Sequence, residues 1–218
     1  MFRSFVDQLF PRFNIDYTDY SSYLSDEEIK QQSSFYKILD THQQKYLDSI
    51  FVASNLRNEL ILDLVNRSKL GLEYAIATDF ARLIIHKVRA FERPLPEPDF
   101  IAYVPADPTR LLQRGYHLPQ LIARELVRTL SIPLVDLVLK TSSTATQTSL
   151  DRKKRLVNLK DKFKLINPTP LNLANFDNLW IVDDITTTGA TMVETAKVIK
   201  RRFPFLKING VVVASNSD

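Results

Sequence analysis

One stretch, Leu179 to Thr191, limits what this chain can fold into more than any other: it reads LWIVDDITTTGAT. Four apolar residues, Leu179 to Val182, run into two adjacent carboxylates, Asp183 and Asp184. Small hydroxyl residues follow, closed by Gly189, and then a helical pattern starts. A short all-apolar run bounded by turn chemistry suits a strand of a parallel sheet covered on both faces. Ligands of such sheets bind beyond the carboxyl ends of the strands, which is where Asp183 and Asp184 fall.

The loop chemistry follows residue by residue. Thr186, Thr187, Thr188 and Thr191 offer hydroxyls, and Gly189 permits a positive φ and a close backbone approach. The first amides of the helix, from Ala190 onward, lack intrahelical partners. Together these groups make an anion site. The two carboxylates repel a phosphate, but they accept hydrogen bonds from neighbouring sugar hydroxyls. A phosphate beside a diol describes a ribose 5-phosphate. The alternative is an ordinary strand-loop-helix junction in which Asp and Thr serve as turn and cap residues. A cap needs one such residue, whereas this loop lines up seven.

Ile181 to Thr191, IVDDITTTGAT, resembles the 5-phosphoribosyl-1-pyrophosphate (PRPP) signature of type I phosphoribosyltransferases. That resemblance implies that Asp183 and Asp184 hold the ribose 2- and 3-hydroxyls. It implies that Thr186, Thr187, Thr188, Gly189, Ala190 and Thr191 hold the 5-phosphate.

The rest of the chain excludes several classes. At 218 residues it suits one substantial core with a small appendage. No apolar run approaches the ~20 residues of a membrane span, and MFRSFVDQLFPRF lacks a signal-peptide core and cleavage site. The expected address is cytoplasmic. With no cysteine there is no disulfide and no thiolate zinc site, and His42, His86 and His117 are too scattered for a metal cluster. Any metal is expected to arrive with the substrate. Between Lys140 and Lys164 eight Lys/Arg stand against two Asp, a local +6 within a net charge of +4. That run reads as a solvated face or as an anion-binding region. A second cluster, Lys197, Lys200, Arg201, Arg202 and Lys207, reads as cations near a helix C-terminus.

In chain order, Phe2, Phe5, Val6 and Leu9 give a short amphipathic helix stopped by Pro11. Ser25 with Glu28 is a capping box that opens a polar helical stretch, continuous or broken, into the region of Leu47. Strands are expected at Ile50 to Ala53, Phe100 to Val104, Leu134 to Leu139, Phe163 to Ile166 and Asn209 to Ala214. Helices are expected from Leu56 to Val65 before Gly71, from Leu72 to Ile84, around Leu121 to Leu126, over Asp151 to Asn158 and over Met192 to Phe203. Thr141 to Ser149 is a Ser/Thr-rich loop.

A broader resemblance is carried by Val104-Pro105, by Arg114-Gly115-Tyr116, by Gln147, Leu150, Arg155, Asn158 and Phe163, and then by the PRPP-type motif, in that order. These resemble the ComF family of competence-associated, phosphoribosyltransferase-like proteins, and FVDQLFP resembles that family's opening. The family's four-cysteine zinc knuckle is missing, and Arg12 to Ser49 stands in its place. The resemblance implies an α/β, type I phosphoribosyltransferase-like fold, a mainly parallel sheet flanked by helices with an N-terminal helical extension. It divides into residues 1–49, a helical segment, and residues 50–218, the transferase-like domain. It places Arg114 and the Ala106 to Asp107 backbone near the pyrophosphate, with Lys153 and Arg155 closing over it. Arg155 reads equally as a structural ion pair, Gln147 and Asn158 read also as caps, and His117 reads as a helix-start residue.

Three functions stand at this point. One is a ComF-like, PRPP-binding accessory of DNA uptake and natural transformation, with Mg²⁺ carried by PRPP, single-stranded DNA and a helicase-type competence partner. The others are a nucleobase phosphoribosyltransferase of nucleotide salvage and a non-catalytic PRPP-sensing regulator.

Overall fold

The computed structural model describes residues 22–71, 74–141, 162–166 and 176–216. In chain order these form α1 (Asp26–Gln31), β1 (Phe35–Tyr36), a 3-10 turn (Gln43–Lys45), β2 (Ser49–Asn55), α2 (Glu59–Leu70), α3 (Tyr74–Ala90) and β3 (Phe100–Tyr103). There follow α4 (Pro108–Arg114), α5 (Leu118–Leu130), β4 (Val138–Lys140), β5 (Phe163–Leu165), β6 (Asn178–Thr186), α6 (Ala190–Arg202) and β7 (Lys207–Ser215). Five strands make one sheet in the order β1-β2-β7-β6-β3. The β2-β7, β7-β6 and β6-β3 pairs are parallel, and β1 joins β2 antiparallel at one edge. β4 and β5 form a separate antiparallel ribbon.

The apolar runs read as buried strands are buried, because both faces of the sheet are covered. On one face Phe51, Ala53, Ile101, Trp180, Val182, Val211 and Val213 share a core with Ile61, Leu64, Ile76, Phe80, Leu83, Ile84, Ile122 and Leu126 from α2, α3 and α5. On the other, Ile50, Val52, Phe100, Ala102, Leu179, Ile181, Ile208 and Val212 pack on Met192, Val193, Ala196 and Ile199 of α6 and on Val138 and Phe163 of the ribbon. Successive strand residues therefore serve opposite cores, as the pleat requires. Each large aliphatic or aromatic side chain taken fully out of water contributes roughly 1.5–3 kcal/mol.

Two expected elements differ. The capping box forms, with Glu28 N–H bonded to Ser25 Oγ at 3.2 Å and Ser25 N–H to Glu28 Oε2 at 2.8 Å. The helix nevertheless stops at Gln31 instead of running towards Leu47, because the chain turns to place Phe35 and Tyr36 against Val52 and Phe51 as the edge strand. A sheet edge and an aromatic cluster of Tyr36, Phe51 and Phe91 outweigh a weak local helix preference. The run from Leu134 to Leu139 is not one strand. Leu134 makes a single parallel bridge to Ile101, and only Val138 to Lys140 pair, in the ribbon. Its apolar residues Val135, Leu137 and Val138 are buried, so apolarity there reports burial and not a ladder.

The strands at Phe100, Phe163, Ile50 and Asn209 form with boundaries within a few residues of those expected. The helix at Phe2 to Leu9 and the basic helix over Asp151 to Asn158 lie outside the described residues. No described helix is long and apolar enough to cross a membrane.

Candidate functional site

All four parallel strands end on one edge of the sheet, and two strand-loop-helix units leave that edge side by side. Tyr103 pairs with Val182, and Val104 N–H continues the ladder to Val182 O at 2.9 Å. The loop after β3 therefore begins beside Asp183. Asp183 and Asp184 stand near the carboxyl end of β6, as expected from the sequence. Asp183 Oδ1 accepts the Asp184 N–H at 3.0 Å, and Asp184 Oδ1 accepts the Ile185 N–H at 2.8 Å. Burial, and then the neighbouring charge of Asp184, push the Asp183 carboxyl well above the usual carboxylate range.

The threonine loop turns directly into α6. Thr186 is buried and its Oγ accepts the Gly189 N–H at 3.0 Å, while Thr188 Oγ accepts the Ala190 N–H at 3.4 Å. Thr187 is exposed, and Thr191, in the first turn of α6, is half-buried. Gly189 has φ 75°, and a Cβ there would lie 2.9 Å from Ile50 Cδ1, so both the backbone and the space require glycine. A brace that the sequence does not reveal is Gln43, whose Nε2 donates to Thr188 O at 2.8 Å from 145 positions away. Its own Oε1 accepts the Asp40 N–H, so the 3-10 turn is locked onto the loop.

The second unit is organised by Asp107. Its Oδ1 receives the Thr109 and Arg110 N–H groups as the cap of α4, and its Oδ2 receives Lys140 Nζ at 2.8 Å. Both side chains of this ion pair are nearly dry, at 9% and 8% exposure. The Asp107 carboxylate is thus committed to holding the turn, with Ala106 half-buried before it. Arg114 is exposed at the end of α4, which Gly115 closes with φ 74°. Tyr116 then anchors the turn through its hydroxyl to Ser68 O and Gly71 O.

His117 belongs to this cluster, although its pattern reads only as a helix start. It precedes α5 without a side-chain cap, and its Nε2 lies 2.7 Å from Val104 O. Its ring meets Tyr103 edge-on at 5.7 Å. Burial lowers its pKa; the Val104 bond and the charge of Asp184 pull it back upward, and Arg114 pushes it down. His117 therefore lies within electrostatic reach of both the acidic and the basic candidate. Beneath it Tyr103 is held by Gln120 Nε2 at 2.8 Å and by Asp136, and burial followed by the Asp136 charge raises its hydroxyl pKa.

The structure thus brings Asp183, Asp184, Thr186 to Thr191, Ala106, Asp107 and Arg114 to one edge of the sheet. Lys153 and Arg155 lie outside the described residues.

An acid pair and a Thr/Gly loop stand at the carboxyl edge of a mainly parallel, helix-flanked sheet, an α/β architecture of the kind that the phosphoribosyltransferase-like motif led us to expect. Over 141 residues the chain is 34% identical to "Competence protein F" of Haemophilus influenzae, covering 63% of this chain and 61% of that protein. It is 33% identical to "DNA utilization protein YhgH" of Escherichia coli K12 and of Salmonella typhi, over 63% of this chain and 60% of each. Over that stretch the chain is similar to these competence and DNA-utilization proteins, in keeping with the ComF-like motifs of its sequence. It spans about 60% of the length of these curated relatives. No family model matches the chain. An orotate phosphoribosyltransferase from Aeropyrum pernix aligns with a TM-score of 0.34 and 15% identity, covering 65% of this chain and 59% of that one. At that level of likeness the fold rests on the sheet itself.

Proposed function

We propose that this chain binds PRPP through the loop after β6 and serves DNA uptake in natural transformation. One observation carries the binding half: Asp183 and Asp184 adjoin a threonine loop that turns, at a left-handed Gly189, straight into the N-terminus of the 13-residue helix α6. Loop hydroxyls and first-turn amides suit a phosphate, and carboxylates one step back along the strand suit sugar hydroxyls. The relatives named for competence and DNA utilization support the biological half.

A magnesium ion fits these residues. Two adjacent carboxylates, one of them held above its ordinary pKa by burial and by the other's charge, are a repulsive pair that a divalent cation relieves. Hard oxygen donors are what Mg²⁺ prefers. No group of three or more metal-type side chains occurs among the described residues, so Asp183 and Asp184 would hold the ion with the substrate's own oxygens. Its chemistry there is neutralisation of the pyrophosphate charge. Arg114 would add a cation on the same edge.

Calorimetric titration with PRPP, with and without Mg²⁺, tests the binding half. Micromolar, Mg²⁺-dependent affinity is expected, and absence of binding refutes it. Transformation frequency in a strain lacking the gene tests the other half, and an undiminished frequency refutes that. Consumption of PRPP with a panel of nucleobases would instead favour the salvage transferase. Single-stranded DNA and a helicase-type partner are further expectations of the same reading. The first follows from the basic run ending at Lys164, most of which lies outside the described residues.

A further inference from the structure

We propose that His117 is a ligand-contacting residue of this site, offering Nδ1 as a hydrogen-bond acceptor to the donor-bearing part of the ligand and not to its phosphates. The inference rests on the PRPP-site reading above and adds a polarity to it.

The tautomer is set by geometry. Val104 O lies 2.7 Å from Nε2, and a carbonyl oxygen only accepts, so Nε2 carries the proton. In the neutral ring Nδ1 is then a lone pair. Nδ1 makes no hydrogen bond with any described residue, and His117 is half-buried and not sealed in the core. The ring itself is fixed. Its Nε2 is tied to the loop after β3, its edge meets the Tyr103 ring, and the preceding residue, Tyr116, is anchored to the end of α2. Val104 continues the β3-β6 ladder at Val182, immediately before the acid pair, so the imidazole stands over the same edge as Asp183 and Asp184. Arg114, three residues earlier at the end of α4, completes that side of the edge.

A rigid lone pair beside an acid pair and an arginine divides the ligand by chemistry. Phosphate and pyrophosphate oxygens are acceptors and gain nothing from Nδ1. Hydroxyls of a ribose, or the N–H and amino groups of a nitrogenous base, donate and are recognised. Of the charged groups that act on the ring, Asp184 and Arg114, neither supplies that acceptor in neutral form.

The test uses the full chain and four probes: inorganic pyrophosphate, ribose 5-phosphate, PRPP with Mg²⁺ and a panel of nucleoside 5′-monophosphates. His117→Phe keeps a ring against Tyr103 and removes both nitrogens, whereas His117→Gln retains a donor and an acceptor. His117→Phe is expected to weaken the donor-bearing probes by about three- to tenfold, the value of one neutral hydrogen bond, and to leave pyrophosphate unchanged. His117→Gln is expected to recover part of that loss. A loss on ribose 5-phosphate assigns the donor to the sugar, and a loss confined to nucleotides assigns it to the base. Equal affinity of wild type and His117→Phe for every donor-bearing probe overturns the inference. An equal loss on pyrophosphate also overturns it, since that marks a displaced loop. A wild-type chain that binds pyrophosphate but no sugar phosphate overturns the PRPP reading and this one together.

Discussion

The chain leaves the same edge of the sheet at the ends of β3 and β6, and each end carries acidic residues, yet the carboxylates are employed in opposite ways. Asp107 is nearly dry and holds the turn: one oxygen caps α4 and the other receives Lys140. Asp183 and Asp184 have no basic partner among the described residues; besides adjacent backbone amides, Asp183 meets chiefly the charge of its neighbour. One end is satisfied within the protein, and the other keeps unrelieved negative charge. The lesson is that an acidic residue at the carboxyl edge of a parallel sheet signals ligand binding only when its oxygens are not already engaged.

That contrast can be broken by substitution, with the largest effect expected on the satisfied side. Lys140→Met takes away the ammonium that Asp107 Oδ2 receives in a nearly dry site, and should cost about 3 kcal/mol of stability, read as a lower urea midpoint. If the midpoint barely moves, the pair is not what holds the turn. Next in size is Gly189→Ala, which forces a non-glycine residue to φ 75° and sets its Cβ against Ile50; about 1–2 kcal/mol should be lost. A neutral outcome would mean the loop relaxes out of the left-handed region.

The smallest stability effect has the opposite sign. The folded-state pKa of Asp183 lies above its unfolded value, so the folded chain binds the extra proton. Its contribution is harmless below the unfolded pKa, and it destabilises increasingly as pH rises through the folded pKa. Asp183→Asn should therefore match wild type in acid and exceed it in thermal midpoint at neutral pH. A variant that is less stable at neutral pH would show that Asp183 is engaged as Asp107 is.

How much of this was legible in the sequence depends on distance along the chain. The β6 unit is local: an apolar run, two acids, a hydroxyl loop and a helix lie within thirteen residues, and the structure keeps that order. The Lys140–Asp107 pair spans 33 positions and the Gln43–Thr188 bond 145, and no periodicity encodes either. Lys140 was readable only as one cation in a basic run, and Gln43 only as part of a polar stretch. The Leu134 to Leu139 run misled because burial selects apolar residues whether or not they pair. His117 read only as a helix start, which it is, and nothing in the sequence placed it at the site. Its place beside Val104 arises from the return of α5 to the end of β3, a tertiary event.

The central claim is that the acid pair near the carboxyl end of β6 receives a sugar and not merely a cation or a helix cap. Calorimetry of PRPP binding with saturating Mg²⁺, comparing wild type with Asp184→Asn, tests it most directly. Losing a charged acceptor for a ribose hydroxyl should weaken binding by at least tenfold, about 1.5–3 kcal/mol, with the urea midpoint unchanged. Unchanged PRPP affinity in a folded Asp184→Asn protein would contradict the account.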